Sequence, residues 1–504
     1  MAKMFRISRR KFLIAFGGGS ASLLASLFVL SRFGALDRVI AGIVTAGRPS
    51  TNKEILITGQ RLPIPELEAG EMIGGQRVFD LRIQRGSMAF VTGKQTPTFG
   101  YNGEMLGPTL VMDKGDDVVL NVTNNLGEPT ITHWHGLHLP AVMDGGPHQR
   151  IEDGETWRAN FTILNEPATY WYHPHLDGKT ADHVYHGLSG LFIIKDEVTD
   201  NLGLPQQYGI DDIPLIVQDK FFNEDGSLNY PGTSEGVKGD TILVNGAITP
   251  VLEVPAQVVQ FRLLAASNAR IHNFGFSDNR QFYQIGTDGG LLETPVPLTR
   301  LLLSTGERAE ILVDFGADEN REIKLRSYSS ERENIDAIWA KDLLDISDFD
   351  VMTIRVAAAT QDAVTRLPGS LATIARFDES QADTTRTFKL QMSSFRINRE
   401  SMDMNRIDET VKLDDVEIWE VTNSSEMSHP FHIHDIQFLI LTKNGSQPPN
   451  NERGWKDVVL VKPGETVRII AQFSDFADPD TPFMYHCHIL EHEDGGMMGQ
   501  FVVV

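Results

Sequence analysis

The sequence predicts an all-β chain of three related sandwich domains, and three observations predict it. Short runs of β-branched and aromatic residues, broken by Gly, Pro, Asn and Asp, recur at sandwich-like intervals, while long helical periodicity is scarce. One strand pattern occurs three times, in 117–124, 258–264 and 415–423, each time closing on an asparagine: Asn124, Asn268 just beyond the second copy, and Asn423. After each copy a Gly-Glu turn enters a second alternating strand, in 153–161, 305–315 and 463–473. The Gly-Glu stands 49 residues after Gln257 in the second copy and 49 after Asp415 in the third, which argues for duplication rather than chance.

The elements follow in order. Residues 1–46 read as a targeting segment, because Ser8-Arg9-Arg10-Lys11-Phe12-Leu13 leads into the apolar run FLIAFGGGSASLLASLFVL and resembles a twin-arginine export signal. Cleavage is expected near Val44-Thr45-Ala46, giving a periplasmic or extracellular protein. If retained, the run would be a membrane anchor, but its three consecutive glycines and its serines make it a poor span, so no stable membrane insertion is expected. The predicted domains are 50–197, 205–358 and 385–504, with a linker over 359–384 where the strand pattern lapses. The stretch 331–347 is predicted to hold a short helix, inserted near the end of the second domain.

Length and composition suit this plan. A chain of 504 residues can bury several cores, and 41% hydrophobic with 22% charged residues is the balance of a folded globular protein. The formal charge of −23 excludes nucleic acid and anionic membranes as natural partners, since both call for clustered Lys and Arg. Cations and neutral molecules are easier guests.

Ten of the fifteen histidines fall in four clusters: His133 and His135, His173 and His175, the group His429, His432 and His434, and the group His486, His488 and His492. Two clusters lie in repeat one and two in repeat three. In each of these repeats one cluster follows the first repeated strand and the other follows the Gly-Glu strand, so repeats one and three must meet, with repeat two as a spacer. Residues i and i+2 of a strand face the same side, so each His-x-His presents two imidazoles to one place. Eight imidazoles exceed what one ion accepts, and imidazole suits copper, zinc and iron, so a multinuclear site is expected. His138, His148, His183, His186 and His272 lack such partners and are expected to have ordinary structural roles.

The single cysteine, Cys487, stands between His486 and His488. If those two face the multinuclear site, Cys487 faces the other way, toward a second site for which His429 and His492 are candidates. Two imidazoles, a thiolate and a weak thioether make a trigonal electron-transfer copper site, with Met497 as the thioether and Met498 as the alternative. Cys487 would then link the two sites along a mostly covalent path on the order of 10 Å, from a 3.8 Å Cα step plus side chains.

The segments HWHG at 133–136, YHPH at 172–175, HPFHIH at 429–434 and HCHILEHEDGGMM at 486–498 resemble the four signatures of the multicopper oxidases, and the resemblance extends over the exported chain as three cupredoxin-like Greek-key domains. It implies four copper ions. By that resemblance His133 and His432 hold the type 2 copper, and His135, His173, His175, His434, His486 and His488 hold the type 3 pair. His429, Cys487, His492 and Met497 hold type 1, where a reducing substrate is oxidised one electron at a time, while dioxygen is reduced to water at the trinuclear cluster. Asp144 and Glu493 occupy the positions of the proton-donating acids in copper-efflux oxidases, a role that burial and neighbouring charge can tune.

The reducing substrate is left open. The chain resembles copper-efflux oxidases in HWHGL, DGGP and LEHEDGGMM but lacks a long Met-rich insert before the third domain, so phenols, aromatic amines or bilirubin stand beside Cu(I) as expected donors. Met427, soft and beside the charge of Glu426, is the candidate Cu(I) contact, with Ser425 where copper-efflux oxidases carry the acid. The rival readings are a copper-free exported structural or binding protein, which would lack the cysteine and most of these histidines, and a zinc scaffold, to which one thiolate with a thioether is ill suited.

Overall fold

The computed structural model describes residues 56–332, 335–336 and 343–504. The export segment at 1–46 lies outside them, as does much of 331–347; the described part of that insertion holds a 3₁₀ turn at Leu343–Asp345. Among the described residues no helix is long and apolar enough to cross a membrane.

Each repeated pattern forms an adjacent antiparallel pair. In repeat one, strand β1 (Asp117–Asn125) precedes β2 (His133–His135), β3 (Thr156–Thr162) and β4 (Ala168–His173), and β1 pairs with β3. In repeat two β5 (Val258–Ala265) pairs with β6 (Arg308–Asp314). In repeat three β7 (Val416–Asn423) is followed by β8 (His429–Ile433), β9 (Thr466–Gln472) and β10 (Asp478–Cys487), and β7 pairs with β9.

The Gly-Glu turn is the same device in all three copies. Gly154, Gly306 and Gly464 have φ of 82°, 85° and 71°, a left-handed backbone that glycine adopts without steric cost. The following glutamate accepts a hydrogen bond from the backbone N–H three residues earlier, at 3.3 Å for Glu155, 2.6 Å for Glu307 and 2.9 Å for Glu465. The glycine N–H reaches back to the end of the partner strand, at Asn124, Ala265 and Asn423. Asn124 and Asn423 also donate from their side chains to the Glu128 and Met427 carbonyls in the loops that lead to β2 and β8, and to the Ile151 and Val461 carbonyls beyond those strands. Strand end, turn and approach to the first histidine pair are thus one hydrogen-bonded unit.

Among the described residues six sheets result, of which five have five strands and one, in repeat two, has seven. Apolar positions alternating along the strands fill three large cores, one around Leu81, Leu120 and Phe192, one around Phe261, Phe276 and Ile311, and one around Trp419, Ile469 and Phe501. Trp171 and Leu191 of repeat one pack on Ile216 and Leu264 of repeat two, and Ile271 and Ile335 of repeat two pack on Leu460 of repeat three. Each such cluster withdraws several large side chains from water at about 25 cal/mol per Å² of apolar surface, so the repeats are held together by cores of their own.

Candidate metal centre

Strand pairing explains why the histidine clusters converge. In repeat one β2 lies antiparallel to β4 with His133 opposite His173, and in repeat three β8 lies antiparallel to β10 with His432 opposite His486. The two repeats then face each other through stacked imidazoles: His133 on His434 at 3.9 Å between centroids and His135 on His432 at 3.8 Å. His175 and His434 each bring Nε2 to 3.2 Å from His486 Nε2, and His135 Nδ1 lies 3.3 Å from His173 Nε2. The His488 ring stands 5.0 Å from that of His135 and 5.4 Å from that of His173. All eight imidazoles are buried. The donor sets close enough for one ion include His133, His432 and His434, then His133, His135 and His173, and then His175, His434 and His486.

The environment keeps seven of these rings neutral, which is the ligating form. Burial pushes His175 and His488 down to about 3, and burial together with neighbouring imidazoles holds His135, His173, His432, His434 and His486 well below the usual histidine range. Buried polar atoms almost always find partners, yet His133 Nε2, His432 Nε2 and both ring nitrogens of His488 have none among the described residues. A set of buried, unpartnered imidazole nitrogens converging on one place fits a cluster of transition-metal ions.

A second donor set lies on the other side of β10. His429 Nδ1 is 3.3 Å from Cys487 Sγ, His492 Nδ1 is 3.6 Å from it, and the two nitrogens are 3.3 Å apart. Burial pushes the Cys487 thiol far up, so a bound cation is what would ionise it. Met497 packs in the same core cluster as Cys487, and its carbonyl accepts the Cys487 N–H at 3.0 Å. Met498 pairs across the ladder with His486 and so lies on the His486 side of the strand. The outer nitrogens of both imidazoles are covered: His429 Nε2 lies 2.7 Å from Ser425 Oγ, and His492 Nε2–H donates to the Ser234 carbonyl at 3.0 Å. Met427 is nearly buried beside this edge and Glu426 is exposed. Asp336 of repeat two accepts the Ser428 N–H at 2.6 Å.

Both predicted acids touch the imidazoles. His434 Nδ1–H donates to Asp144 Oδ2 at 2.7 Å, and His133 Nδ1–H donates to the Asp144 carbonyl at 2.9 Å. Glu493 Oε2 is 3.2 Å from His486 Nδ1 and Oε1 is 3.4 Å from His175 Nδ1. Burial first, and then the charge of Asp494, raise the Glu493 carboxyl well above the usual range.

Repeat two supplies no imidazole, but it is more than the spacer expected of it. Thr305 Oγ1 donates to the His488 carbonyl at 2.5 Å, and Arg308 grips Asp457, which in turn faces His135. These residues were missed because neither belongs to a histidine motif. The repeats themselves carried a signal: the residue after Gly-Glu is Thr156 in repeat one and Thr466 in repeat three, but Arg308 in repeat two. The other five histidines do have ordinary partners, such as Gln500 for His148, Thr130 for His183 and Ser267 for His272.

Known proteins resemble this chain over most of its length. Models of multicopper oxidase domains match residues 82–199 and 369–504. The chain is 37% identical over 437 residues to a multicopper oxidase, mco, of Staphylococcus haemolyticus, covering 85% of this chain and 89% of that protein. It is 36% identical over 447 residues to the cell division protein FtsP of Xenorhabdus nematophila, covering 88% and 92%. The solved structure of a bacterial laccase-like multicopper oxidase, CueO, from Ochrobactrum sp., described as acting on lignin model compounds and lignosulfonate, superposes with a TM-score of 0.80 at 36% identity, covering 88% of this chain and all of that one.

Proposed function

The chain belongs to the multicopper oxidase family, with its cupredoxin-like fold, and from that premise we propose that it couples one-electron oxidation of a small reducing substrate to four-electron reduction of dioxygen to water. The observation that carries the reading is the sequence His486-Cys487-His488 at the end of β10, where alternate side chains serve two donor sets and the cysteine backbone joins them. His429, Cys487, His492 and Met497 would hold the type 1 ion, His133 and His432 the type 2 ion, and His135, His173, His175, His434, His486 and His488 the type 3 pair. Copper, when bound, supplies single-electron redox chemistry at the first site and binding and reduction of dioxygen at the others.

The chain's own residues do the rest. Neutral imidazoles present lone pairs without first losing a proton, and the closed protein around them excludes bulk water. Glu493, buried with a raised affinity for protons and flanked by His175 and His486, holds a proton beside the cluster; Asp144, against His133 and His434, offers a second carboxylate. On the donor side the His429 ring meets Ser425, and a substrate approaches past Ser425, Glu426 and Met427. Phenols, aromatic amines and Cu(I) are the proposed donor classes, Cu(I) because a thioether is a soft ligand beside an acidic surface. Export by the segment around Arg9 and Arg10 belongs to the same proposal and places the reaction in the periplasm.

The likeness to a cell division protein, FtsP, keeps a structural or binding role as the other reading. Oxygen uptake by the copper-loaded protein, with Cu(I) and with a phenol as donors, tests both. Uptake with either donor is expected. A protein that binds copper but consumes no oxygen with any donor class named would overturn the oxidase reading, and one that binds no copper would establish the alternative.

A further inference from the structure

His135 and His432 stack face to face, yet they turn opposite ring nitrogens outward. His135 has Nε2 3.1 Å from Asp457 Oδ1, which leaves Nδ1 facing His173. His432 Nδ1–H donates to the Asp457 carbonyl at 2.7 Å, which leaves Nε2, a nitrogen with no protein partner, facing the cluster. One residue thus accepts from an imidazole of repeat one through its side chain and from an imidazole of repeat three through its backbone. A neutral imidazole has one N–H and one lone pair, so each of these bonds dictates which nitrogen carries the lone pair.

Asp457 is itself held from repeat two. Arg308 donates from Nη1 to Oδ1 and from Nη2 to Oδ2, both at 2.6 Å, the two-pronged geometry that fixes a carboxylate plane. The remaining guanidinium hydrogens go to the carbonyls of Thr169, Gly306 and Asp288, so all five are used. Arg308, Asp457 and His135 are fully buried. Gly136 leaves room for the pair: a Cβ there would collide with Asp457 Oδ2 and approach Arg308 Nη2 to 2.8 Å.

We propose that Arg308 and Asp457 form a positioning couple through which repeat two, which supplies no imidazole to the site, sets the orientation and tautomers of His135 and His432, and so the copper affinity of the trinuclear site. The inference rests on the trinuclear reading above. Partners that orient a ligating histidine are worth ten- to a hundredfold in metal affinity, and the same range is expected here. Lysine at 308 keeps the charge but lacks the planar fork, so it cannot hold both oxygens.

The experiment uses the copper-loaded full chain, Arg308→Lys and Asp457→Asn. Each is equilibrated with graded copper chelator, and bound copper, the visible colour from Cys487 and the EPR-visible fraction of copper are followed. The variants are expected to lose cluster copper at ten- to a hundredfold lower chelator strength and to show a larger EPR-visible fraction, because a displaced His135 uncouples the spin-paired type 3 ions. Their Cys487 colour stays, which reports an intact fold. Parental copper retention and EPR fraction in both variants, even with a lower melting temperature, would overturn the proposal and leave the couple a purely structural ion pair. Should Asp457→Asn fail to fold, Arg308→Lys decides by the same readings. A parental protein without EPR-silent copper would overturn the trinuclear reading itself and this proposal with it.

Discussion

His138 offers a quantitative test of how repeats one and three are joined. Its Nδ1 lies 2.7 Å from Asp435 Oδ1 and its Nε2 lies 2.9 Å from Asp475 Oδ2, with Phe476 against the ring. A carboxylate only accepts, so only the imidazolium donates to both. Burial disfavours that charge, but the Asp435 and Asp475 carboxylates outweigh it and raise His138 from 6.5 to about 9. At about 1.4 kcal/mol per pK unit the shift is worth about 3 kcal/mol. Asp475 is half exposed and its arm contributes less than about 1 kcal/mol, so about 2 kcal/mol is expected from the buried contact with Asp435. The sign follows from the folded value being the higher one: the stabilisation is complete below about 6.5 and is lost as pH rises through about 9. Denaturant titrations of the parent and of His138→Gln, monitored by tryptophan fluorescence from pH 6 to pH 10, measure it. The parent should lead by about 2 kcal/mol at the acidic end and by little at the alkaline end. A difference that stays constant across that range would refute the imidazolium clamp.

Three further outcomes are expected. Cys487→Ser should abolish the intense orange-red absorption of the copper-loaded protein while copper still binds at the histidine cluster, as optical spectra with metal analysis would record; a colourless parent would remove the type 1 assignment. Asp144→Asn and Glu493→Gln should each slow oxygen uptake about tenfold or more with the colour retained, since each keeps its shape and gives up an exchangeable proton; parental rates across the pH range in both would exclude the relay. Met427→Ala should weaken Cu(I) oxidation several-fold more than phenol oxidation in parallel oxygen-uptake assays, and equal losses would mean that Met427 only packs beside His429.

The sequence disclosed what repeats and what alternates. The strand pairs at 117–162, 258–314 and 416–472 were legible because period-two apolar patterns and the Gly-Glu turn recur in register, and the ten clustered histidines were legible because His-x-His is rare and was present four times. The direction in which each ring turns was not, since it depends on partners supplied from other repeats, such as Asp457 and Asp144. Nor was the role of repeat two legible from a search for ligands. Ser234, Asp336 and Arg308 act through a carbonyl, a carboxylate and a guanidinium on residues 92 or more positions away, in repeat three, and nothing local to them announces it. The short helix expected in 331–347 lies largely outside the described residues; of those described, Ile335 joins an apolar cluster and Asp336 accepts from Ser428.

The thrice-repeated turn has a consequence for how substitutions should be read in this chain. A methyl group added at Gly154 or Gly464 would meet nothing within 4 Å, whereas at Gly306 it would meet the His488 ring at 3.0 Å. The backbone conformation is shared, so it burdens any side chain alike at the three positions. What separates them is proximity to another repeat. The chain therefore carries its own ruler: two copies measure what the turn tolerates by itself, and the third measures the space that the His488 imidazole of repeat three leaves to it. Variation at 154 and 464 is a matter of starting a strand, while the same variation at 306 is a matter of where His488 can stand.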